Sequence, residues 1–548
     1  MLVRDEIDKL FPADLPEPAH WEQQYPPRDL PGTAQVTRVC PSPTGFAHIG
    51  SIYVAMIDAA IARETRGAYL VRIEDTDQSR EVEGAVAQFD RAFEYFGVVS
   101  DETDAHGGYG PYTQSQRALI YLTYVREFLR LGKAYPCFAT KEELAASVEE
   151  QRALKLPTGY YGRWALWRDA SHERVREELA KGTPYVVRFR SPGQEAGRVA
   201  YTDLIRGKLE SDGNRNDAVI LKSSDSALRL PTYHFAHVVD DHLMRVTLVV
   251  RGDEWISSVP LHHQLFDAAG FERIPYAHIA PLMKQDGRSR RKLSKRKDPE
   301  ADVAFYMQEG YPADGVLYYL RGLANGRLAE MPLDQALREP LRLGEFSPAG
   351  ALVDLVKLED ITSDLIAAMP GSEVLQQVRA WADDYDRDLA RVLTAEPDLA
   401  LRALAVERDG TDRPRKDLRK WSDFRPVYSF FFPQLFEPVG DPGDARFGGL
   451  DPELVRRLCT DLLSGYQHTD DSDAWFAQIR ATAAKNGFAA SPKEYKQAPD
   501  QYPGSIREAS QAVRVLLTGS TRSPGLTLVA AALGEAEVRR RLSAVLPS

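Results

Sequence analysis

The hydrophobic positions near the start of the chain form two short β-favouring runs, each followed by a longer helical pattern. Gln35–Cys40 and Tyr69–Glu74 are largely apolar, which predicts two buried strands. The stretches 49–66 and 82–96 place apolar residues on one face and predict helices. The order strand, helix, strand, helix indicates a parallel α/β sheet.

Between residues 113 and 202 the pattern becomes mainly that of amphipathic helices, which indicates an insertion between two α/β halves. Helices are predicted at Arg117–Leu131, Lys141–Leu154 and Ser171–Lys181, and strands at Tyr185–Arg190, Ala218–Leu221 and Val246–Val250. From about residue 271 helical patterns dominate to the end. The predicted fold is a doubly wound, parallel, Rossmann-type α/β domain with a helical insertion, followed by an all-α C-terminal region.

These changes of pattern divide the chain into six predicted segments. They are an N-terminal extension (1–33), the first half of the α/β domain (34–112), the insertion (113–202), the second half (203–270), a linker region (271–375) and the helical C-terminal region (376–548). The extension is rich in proline and has little periodicity, so its role is not predicted.

Composition excludes several classes of protein. The chain has 548 residues, of which 43% are hydrophobic and 27% charged, and no run approaches the roughly 18 apolar residues of a membrane helix. The N-terminus lacks the apolar segment of a secretory signal, and the cysteines at 40, 137 and 459 are too far apart for a disulfide framework. We therefore expect a soluble, cytoplasmic protein. The net charge of -11 argues at first against a nucleic-acid partner.

Residues 45–51 form a loop that opens the first long helix. Their spacing almost matches a phosphate-binding P-loop, but the lysine of that motif is absent, so a P-loop is rejected. A helix N-terminus still offers backbone N–H groups to phosphate, His48 can donate a hydrogen bond, and Gly50 lets a flat base approach the backbone. The alternative is that His48 only caps the helix.

A strongly basic loop lies at residues 284–297. It contains eight Lys or Arg residues and one Asp, a net charge of +7, so the rest of the chain carries -18. Lys292 and Lys295, with Gly287 upstream for mobility, could close on a triphosphate and neutralise charge on departing pyrophosphate. A solvated loop or a nucleic-acid patch is the alternative explanation.

Together the two segments resemble the HIGH and KMSKS signatures of class I aminoacyl-tRNA synthetases. They stand here as His48-Ile49-Gly50-Ser51 and Lys292-Leu293-Ser294-Lys295-Arg296. Four further segments resemble the sequences of bacterial-type glutamyl-tRNA synthetases. They are Arg38–Gly45, Arg72–Asp77, Pro231–His242 and Arg251–Trp255. The resemblance covers about residues 35–300. It implies ATP-dependent ligation of L-glutamate to tRNA(Glu) through a glutamyl-adenylate, with release of AMP and pyrophosphate.

The resemblance also implies roles for single residues and segments. The catalytic residues are expected to be His48, Lys292 and Lys295; the glutamate-binding residues Arg38, Ser42, Glu74, Tyr233, His237 and Arg251; and the ATP-binding residues Thr44, His48, Gly50, Glu254, Trp255, Lys292, Ser294 and Lys295. The insertion is expected to bind the tRNA acceptor end, the linker to contact the tRNA stem, and the C-terminal region to read the anticodon. ATP should enter with Mg²⁺, and we expect a monomer.

His237 departs from the family pattern, because many members have Asn at this position. A histidine can donate to a carboxylate, so His237 is predicted to line the glutamate side-chain pocket. The cluster of His234, His237, Asp240, Asp241 and His242 also raises the possibility of a metal site, but no second cluster supports it, and no metal is predicted. Zinc is not expected either, because only Cys137 lies in the insertion.

A second basic segment lies in the C-terminal region. Its Arg413, Arg415, Lys416, Arg419 and Lys420, followed by Trp421, suit contacts with tRNA phosphates and unpaired bases. A charged surface loop beside core aromatic residues is the alternative. For the whole protein, the alternatives are a glutaminyl-tRNA synthetase, a non-discriminating enzyme that also charges tRNA(Gln), a small nucleotidyltransferase, a shortened relative that glutamylates a tRNA nucleoside, and a non-catalytic tRNA-binding protein.

Overall fold

The computed structural model describes residues 2–193 and 197–547. The chain divides into two compact units, Met1–Met307 with Leu317–Asp354 and Gln308–Val316 with Leu355–Ser548. None of the described helices is long and apolar enough to cross a membrane.

Short strands, mostly four residues long, form the sheets of the first unit. The strands are β1 Val36–Val39, β2 Ala68–Val71, β3 Ala134–Cys137, β4 Val186–Phe189, β5 Arg198–Asp203, β6 Gly207–Asp212, β7 Val219–Leu221, β8 Val249–Gly252, β9 Tyr276–Ile279, β10 Met283–Asp286 and β11 Ser289–Lys292.

The helices up to residue 338 are α1 Arg4–Asp8, α2 Pro18–Gln24, α3 Ile49–Thr65, α4 Ala85–Tyr95, α5 Ala118–Arg130, α6 Lys141–Ala153, α7 His172–Ala180, α8 Tyr233–Leu243, α9 Val259–Ala269, α10 Val303–Glu309, α11 Ala313–Ala324 and α12 Leu333–Arg338. The strands and helices predicted before residue 252 are confirmed, with shifts at their ends.

A parallel sheet forms the centre of the first unit. β1 pairs with β2, and β9 pairs with both β8 and β5, in parallel in each case. The carbonyl of Val36 in β1 accepts hydrogen bonds from the amides of Thr247 and Leu248, just before β8. β1 and β8 are also in contact, so the carboxyl ends of β1 and β8 come close together. In parallel α/β sheets this edge is where ligands bind.

Three strands, β9, β10 and β11, lie after residue 271, where helical patterns were expected to dominate. β9 adds to the parallel sheet, and β10 pairs with β11 as an antiparallel hairpin. β9 contains a histidine, and β10 and β11 consist largely of polar and charged residues, so none of the three has the apolar run by which β1 and β2 were predicted. β9 is stabilised by pairing with distant β8, and the hairpin turns at Gly287, which has a positive φ of 58°.

The insertion contains helices α5–α7 together with part of a three-stranded antiparallel sheet of order β3-β4-β7. The predicted strand at Tyr185–Arg190 is confirmed as β4. The aromatic residues Phe138, Trp167 and Tyr185 pack together beside this sheet, with ring centroids 4.9 and 5.3 Å apart. The segment is therefore a mixed α/β element with its own aromatic packing.

The N-terminal extension packs firmly on the first unit. Trp21 and Tyr25 are buried, and the indole N–H of Trp21 donates to Thr123 in α5 at 3.0 Å. Glu22 forms an ion pair with Arg245, just after α8, and a hydrogen bond with His242, each at 2.8 Å. The extension therefore ties α5 to the region that follows α8.

The second unit is helical. Its helices from residue 355 are α13 Leu355–Ala368, α14 Gly371–Tyr385, α15 Arg387–Ala395, α16 Pro397–Ala405, α17 Phe424–Tyr428, α18 Pro452–Gly465, α19 Ser472–Lys485, α20 Pro492–Gln497, α21 Ile506–Thr518, α22 Leu526–Leu533 and α23 Glu535–Ser543. Apolar residues of α14–α16 form one hydrophobic cluster, and those of α18, α19 and α21–α23 form a second.

Candidate active site

A cavity of about 450 Å³ lies at the carboxyl ends of β1 and β8 in the first unit. The predicted site residues that line it are Arg38, Ser42, His48, Gly50, Glu74, Tyr233, Arg251, Glu254, Trp255 and Lys292. The structure therefore brings most of the predicted site into one cavity. Thr44, His237, Ser294 and Lys295 are not among the lining residues.

His48 begins helix α3 and is oriented by it. Its Nδ1 accepts a hydrogen bond from the backbone N–H of Gly50 at 2.9 Å, so the neutral ring carries its proton on Nε2. Burial lowers the pKa of His48, and the nearby charge of Lys295 lowers it further, so the ring is neutral at pH 7. The ring thus caps the helix, and its remaining N–H faces the backbone of Leu293 in the basic loop, a hydrogen bond that opposes the lowering of the pKa of His48.

The basic loop is held against the same side of the cavity. Arg291 forms two hydrogen bonds with Asp298, at 2.6 and 2.7 Å, and the N–H of Ser294 donates to the same carboxylate at 2.9 Å. Lys292 ends β11, and its Nζ lies 3.5 Å from Glu254. Burial lowers the pKa of Lys295. Asp298 therefore fixes the loop that presents both lysines.

Arg38 lies in β1, and a buried acid of α8 holds its side chain. Its Nε–H lies 3.1 and 3.2 Å from the two carboxylate oxygens of Asp241, which also pairs with Arg72 at 2.5 Å. Burial alone would raise the pKa of Asp241, but the charges of Arg38 and Arg72 hold this pKa well below its usual range. Arg72 in turn donates to Glu74 at 3.1 Å. Burial raises the pKa of Glu74, and Arg72 opposes that shift.

Arg251, at the end of β8, has a different environment from Arg38. Its Nε–H donates to Nε2 of His278 at 3.0 Å, and Nη2 donates to the carbonyl of Trp255 at 3.3 Å. The guanidinium also lies 4.4 Å from the ring centroid of Tyr276. Among residues 2–193 and 197–547, no carboxylate lies within ion-pair distance of Arg251. Its charge is therefore available to an anion in the cavity.

The position of His237 differs from the prediction. The side chain is fully buried and does not line the cavity. Its Nδ1 lies 3.0 Å from Asp241, and its Nε2 lies 3.0 Å from the hydroxyl of Tyr276. Burial lowers its pKa to about 3. His237 follows Tyr233 by one helical turn in α8, on the side that packs against β9, so it lies behind Arg38 rather than beside a ligand.

Tyr233 and Trp255 form one wall of the cavity, with their ring centroids 4.4 Å apart. Tyr233 is the first residue of α8, and Trp255 follows β8 directly. The cavity thus combines two arginines, two acids, one neutral histidine, a lysine and an aromatic wall. This set can bind an amino acid with two carboxylates next to a polyphosphate.

The comparisons with known proteins agree with this chemistry. Residues 35–334 match the family model described as tRNA synthetases class I (E and Q), catalytic domain. A glutamate–tRNA ligase from Sorangium cellulosum is 40% identical over 569 residues, covering 97% of this chain and 98% of the relative. One from Acetivibrio thermocellus is 39% identical and covers 98% and 99%. The chain belongs to the glutamate–tRNA ligase family.

A solved structure of the family has the same architecture. A glutamate tRNA ligase from Elizabethkingia meningosepticum, determined in complex with its amino acid, superposes with a TM-score of 0.74 at 26% identity. The match covers 93% of this chain and 99% of that one. The fold class predicted from the sequence, a parallel α/β domain followed by a helical C-terminal region, is confirmed.

The C-terminal region of this family member includes a second match. Residues 503–546 match the family model described as anticodon binding domain, and they comprise α21–α23. The predicted basic segment lies upstream of this match. Four of its five cations form ion pairs in the second unit: Arg415 with Glu407 and Asp417, Lys416 with Asp364, Arg419 with Glu359 and Asp423, and Lys420 with Glu309. Arg413 is exposed.

Several supporting residues were not identified from the sequence. Asp241 appeared only as a candidate metal ligand, and His278 and Tyr276 belong to the missed strand β9. Two adjacent acids in a helix that contains no Lys or Arg could have indicated buried arginine partners. In the described ranges, no group of three His, Cys, Asp or Glu side chains is arranged to hold a metal ion.

Proposed function

We propose that the protein ligates L-glutamate to the 3′ end of tRNA(Glu) in two steps, using ATP. The observation that supports this proposal is that the similarity of the sequence and the residues of the cavity indicate the same reaction. The chain is similar over its full length to glutamate–tRNA ligases, and one cavity contains Arg38, Glu74, Arg251 and His48. Both the amino acid and the nucleotide find suitable partners in this cavity.

The glutamate-binding roles follow from charge and position. Arg38 and Tyr233 are proposed to bind the side-chain carboxylate, and Arg251 the α-carboxylate, because a guanidinium matches a carboxylate in planar geometry. Glu74, with the hydroxyl of Ser42, is proposed to accept hydrogen bonds from the α-ammonium group. His237 is proposed to act on this pocket indirectly, through Asp241.

The nucleotide-binding roles follow from the start of α3 and the basic loop. His48 is proposed to donate through Nε2–H to a phosphoryl oxygen in place of the Leu293 backbone, and Gly50 to lie against the adenosine. Lys292, Ser294 and Lys295 are proposed to contact the phosphates after a movement of the loop. Lys292 would then exchange Glu254 for phosphate. Thr44, Glu254 and Trp255 complete the proposed ATP-binding set.

The reaction needs positioning and charge stabilisation rather than a protein nucleophile. An oxygen of the glutamate α-carboxylate attacks the α-phosphorus of ATP, and the bond to pyrophosphate breaks. His48, Lys292 and Lys295 stabilise the negative charge on the phosphates during this step. A ribose hydroxyl of the terminal nucleotide then attacks the glutamyl carbonyl, and AMP leaves. Mg²⁺ is expected to enter bound to the ATP phosphates.

The remaining roles are also proposals. The insertion is proposed to contact the acceptor end of tRNA, and the C-terminal region, including residues 503–546, to read the anticodon. Arg413, Arg415, Lys416, Arg419 and Lys420 are proposed as further tRNA contacts. We expect the protein to act as a cytoplasmic monomer without zinc.

The test is a charging assay with purified tRNA(Glu) and tRNA(Gln), using radiolabelled glutamate or glutamine. We expect glutamyl-tRNA(Glu), together with AMP and pyrophosphate, only when ATP is present. Glutamate on both tRNAs would indicate a non-discriminating enzyme, and glutamine on tRNA(Gln) a glutaminyl-tRNA synthetase. Failure to charge any tRNA pool with glutamate would reject the proposal.

A further inference from the structure

A buried chain of two hydrogen bonds leads from Asp203 through His278 to Arg251. Asp203 is the last residue of β5, where it pairs in parallel with Tyr276 of β9. His278 lies further along β9, opposite Arg251 of β8. The register of three parallel strands therefore brings these side chains together, although they are distant in the sequence.

Asp203 is the fixed end of this chain. One carboxylate oxygen accepts the backbone N–H groups of Ile205 and Arg206, at 3.0 and 2.9 Å. The other accepts the backbone N–H of His278 at 3.0 Å and lies 2.7 Å from its Nδ1. The side chain is buried, and His278 and the backbone donors lower its pKa against the effect of burial. An ionised, four-fold hydrogen-bonded carboxylate has little freedom to rotate.

The two neighbours of His278 define its tautomer. The carboxylate of Asp203 can only accept, so Nδ1 carries the ring proton. Nε2 then presents its lone pair to Arg251, whose Nε–H donates to it at 3.0 Å. If the proton were on Nε2, two N–H groups would face each other. Asp203 therefore determines whether His278 attracts or repels the guanidinium.

The arrangement holds Arg251 without neutralising it. Nη1 lies 3.4 Å from Nδ1 of His262, and burial lowers the pKa of His262 well below its usual value. The contacts to His278, His262 and the Trp255 carbonyl are thus made with neutral groups. Arg38, by contrast, is paired directly with Asp241. Arg251 keeps a full positive charge toward the cavity, and its nearest hydrogen-bonded carboxylate lies beyond an imidazole.

We propose that Asp203 and His278 are positioning residues that orient Arg251 for the α-carboxylate of glutamate. The inference rests on the proposed function of the cavity. An arginine fixed at Nε presents its two terminal nitrogens in one plane, which suits a carboxylate. Loss of the fixed orientation is expected to weaken glutamate binding more than ATP binding.

The experiment compares His278→Gln with His278→Asn in the full-length protein. A glutamine places an amide oxygen near the position of Nε2 and can accept from Arg251, whereas asparagine can reach Asp203 but not Arg251. We expect His278→Asn to raise the KM for glutamate by about tenfold or more, the effect of losing a hydrogen bond to a charged group. His278→Gln should stay within about threefold of the wild type, and the KM for ATP should change little in both.

Asp203→Asn tests the other end of the chain. The asparagine keeps the shape of Asp203, but its amide can donate as well as accept, so the ring proton of His278 is no longer required to be on Nδ1. The KM for glutamate should therefore rise as in His278→Asn. Asp267→Asn, which changes an exposed partner of Arg273, is the matched control and should behave as wild type. In each variant, 4-amino-5-hydroxypentanoate, which lacks the α-carboxylate, should inhibit with an unchanged constant.

Three results would overturn the inference. They are equal KM values for glutamate in the Gln and Asn variants, a parallel rise in the KM for ATP, and a parallel loss of inhibition by the analogue. Thermal unfolding midpoints of all variants separate these effects from a general loss of structure. An inactive wild type would reject the proposed function and this inference together, whereas an active wild type with any of the three results rejects the inference alone.

Discussion

Nδ1 of His237 lies 3.0 Å from a carboxylate oxygen of Asp241, and the same carboxylate accepts from Nε–H of Arg38 at 3.1 Å. His237 therefore reaches the proposed glutamate pocket through Asp241 and through its own contact with Arg38, whose Nη2 lies 3.5 Å from Nδ1, and not by lining the cavity. The hydroxyl of Tyr276, 3.0 Å from Nε2, completes a buried chain from β9 to Arg38. His237 thus supports an arginine of the cavity.

His237→Ala is expected to raise the KM for glutamate by about tenfold, because Asp241 loses a buried donor that helps to orient it toward Arg38. His237→Asn should preserve most of the affinity, since its amide N–H can replace Nδ1–H. Steady-state charging kinetics with glutamate and glutamine provide the measurement. If His237→Ala leaves both the KM and the discrimination against glutamine unchanged, His237 has no role in the pocket.

Lys295→Ala is expected to lower kcat by about 10²-fold or more, because the lysine is proposed to stabilise charge that develops only as pyrophosphate leaves. The KM for glutamate should change little. Lys297→Ala removes an exposed lysine from the same loop and serves as the matched control. Equal losses of kcat in the two variants would show that only the net charge of the loop matters.

Local signals predicted the first half of the α/β domain and the charged residues that line the cavity. β1, α3 and β2 follow one another, and each has its own hydrophobic pattern. β9 lacked such a signal, because its four residues include His278 and its stability comes from pairing with β8 and β5. Tyr276 and His278 of this strand support Arg38 and Arg251. Contacts that depend on strand register cannot be read from motif spacing.

Gly50→Ala is expected to weaken ATP binding without a large gain in stability. Alanine in place of glycine ordinarily stabilises a helix by about 0.5–1 kcal/mol, and the close approach to the capping His48 opposes that gain here. The added Cβ would lie 3.0 Å from Nδ1 of His48, on the face proposed to bind adenosine, so the KM for ATP should rise. Gly465→Ala, at the end of α18 with no atom within 4 Å of the added Cβ, should change stability alone. An unchanged KM for ATP in Gly50→Ala would place the nucleotide elsewhere.

Arg413→Glu tests the proposed tRNA contacts of the basic segment. Its neighbours Lys416 and Lys420 are paired with Asp364 and Glu309, so Arg413 is the member whose reversal disturbs no ion pair in the part of the chain described here. We expect Arg413→Glu to weaken tRNA binding. The slope of the logarithm of the binding constant against that of the salt concentration should also become smaller by about one, because about one counterion fewer is released. Arg4→Glu makes the same charge change in the N-terminal extension. Equal affinities of Arg413→Glu and Arg4→Glu for tRNA at low salt would contradict a role of the basic segment in tRNA binding.

The buried histidines beside Arg251 predict a loss of stability at mildly acidic pH. Burial lowers the pKa of His234 to about 4, of His237 to about 3 and of His263 to about 4, from 6.5. Between these values and 6.5 the unfolded chain binds more protons than the folded one. The free energy of unfolding therefore falls as the pH drops through this window, by at most about 1.4 kcal/mol per pH unit for each histidine.

The measurement is the thermal unfolding midpoint between pH 7.5 and pH 4.5, above the range in which most carboxylates titrate. His263→Gln should flatten the curve, because it removes one buried titratable ring whose Nδ1 has no hydrogen-bond partner among the described residues. His20→Gln changes an exposed histidine and should leave the curve as in the wild type. If His263→Gln and wild type lose stability in parallel, groups outside this histidine cluster dominate the response to acid.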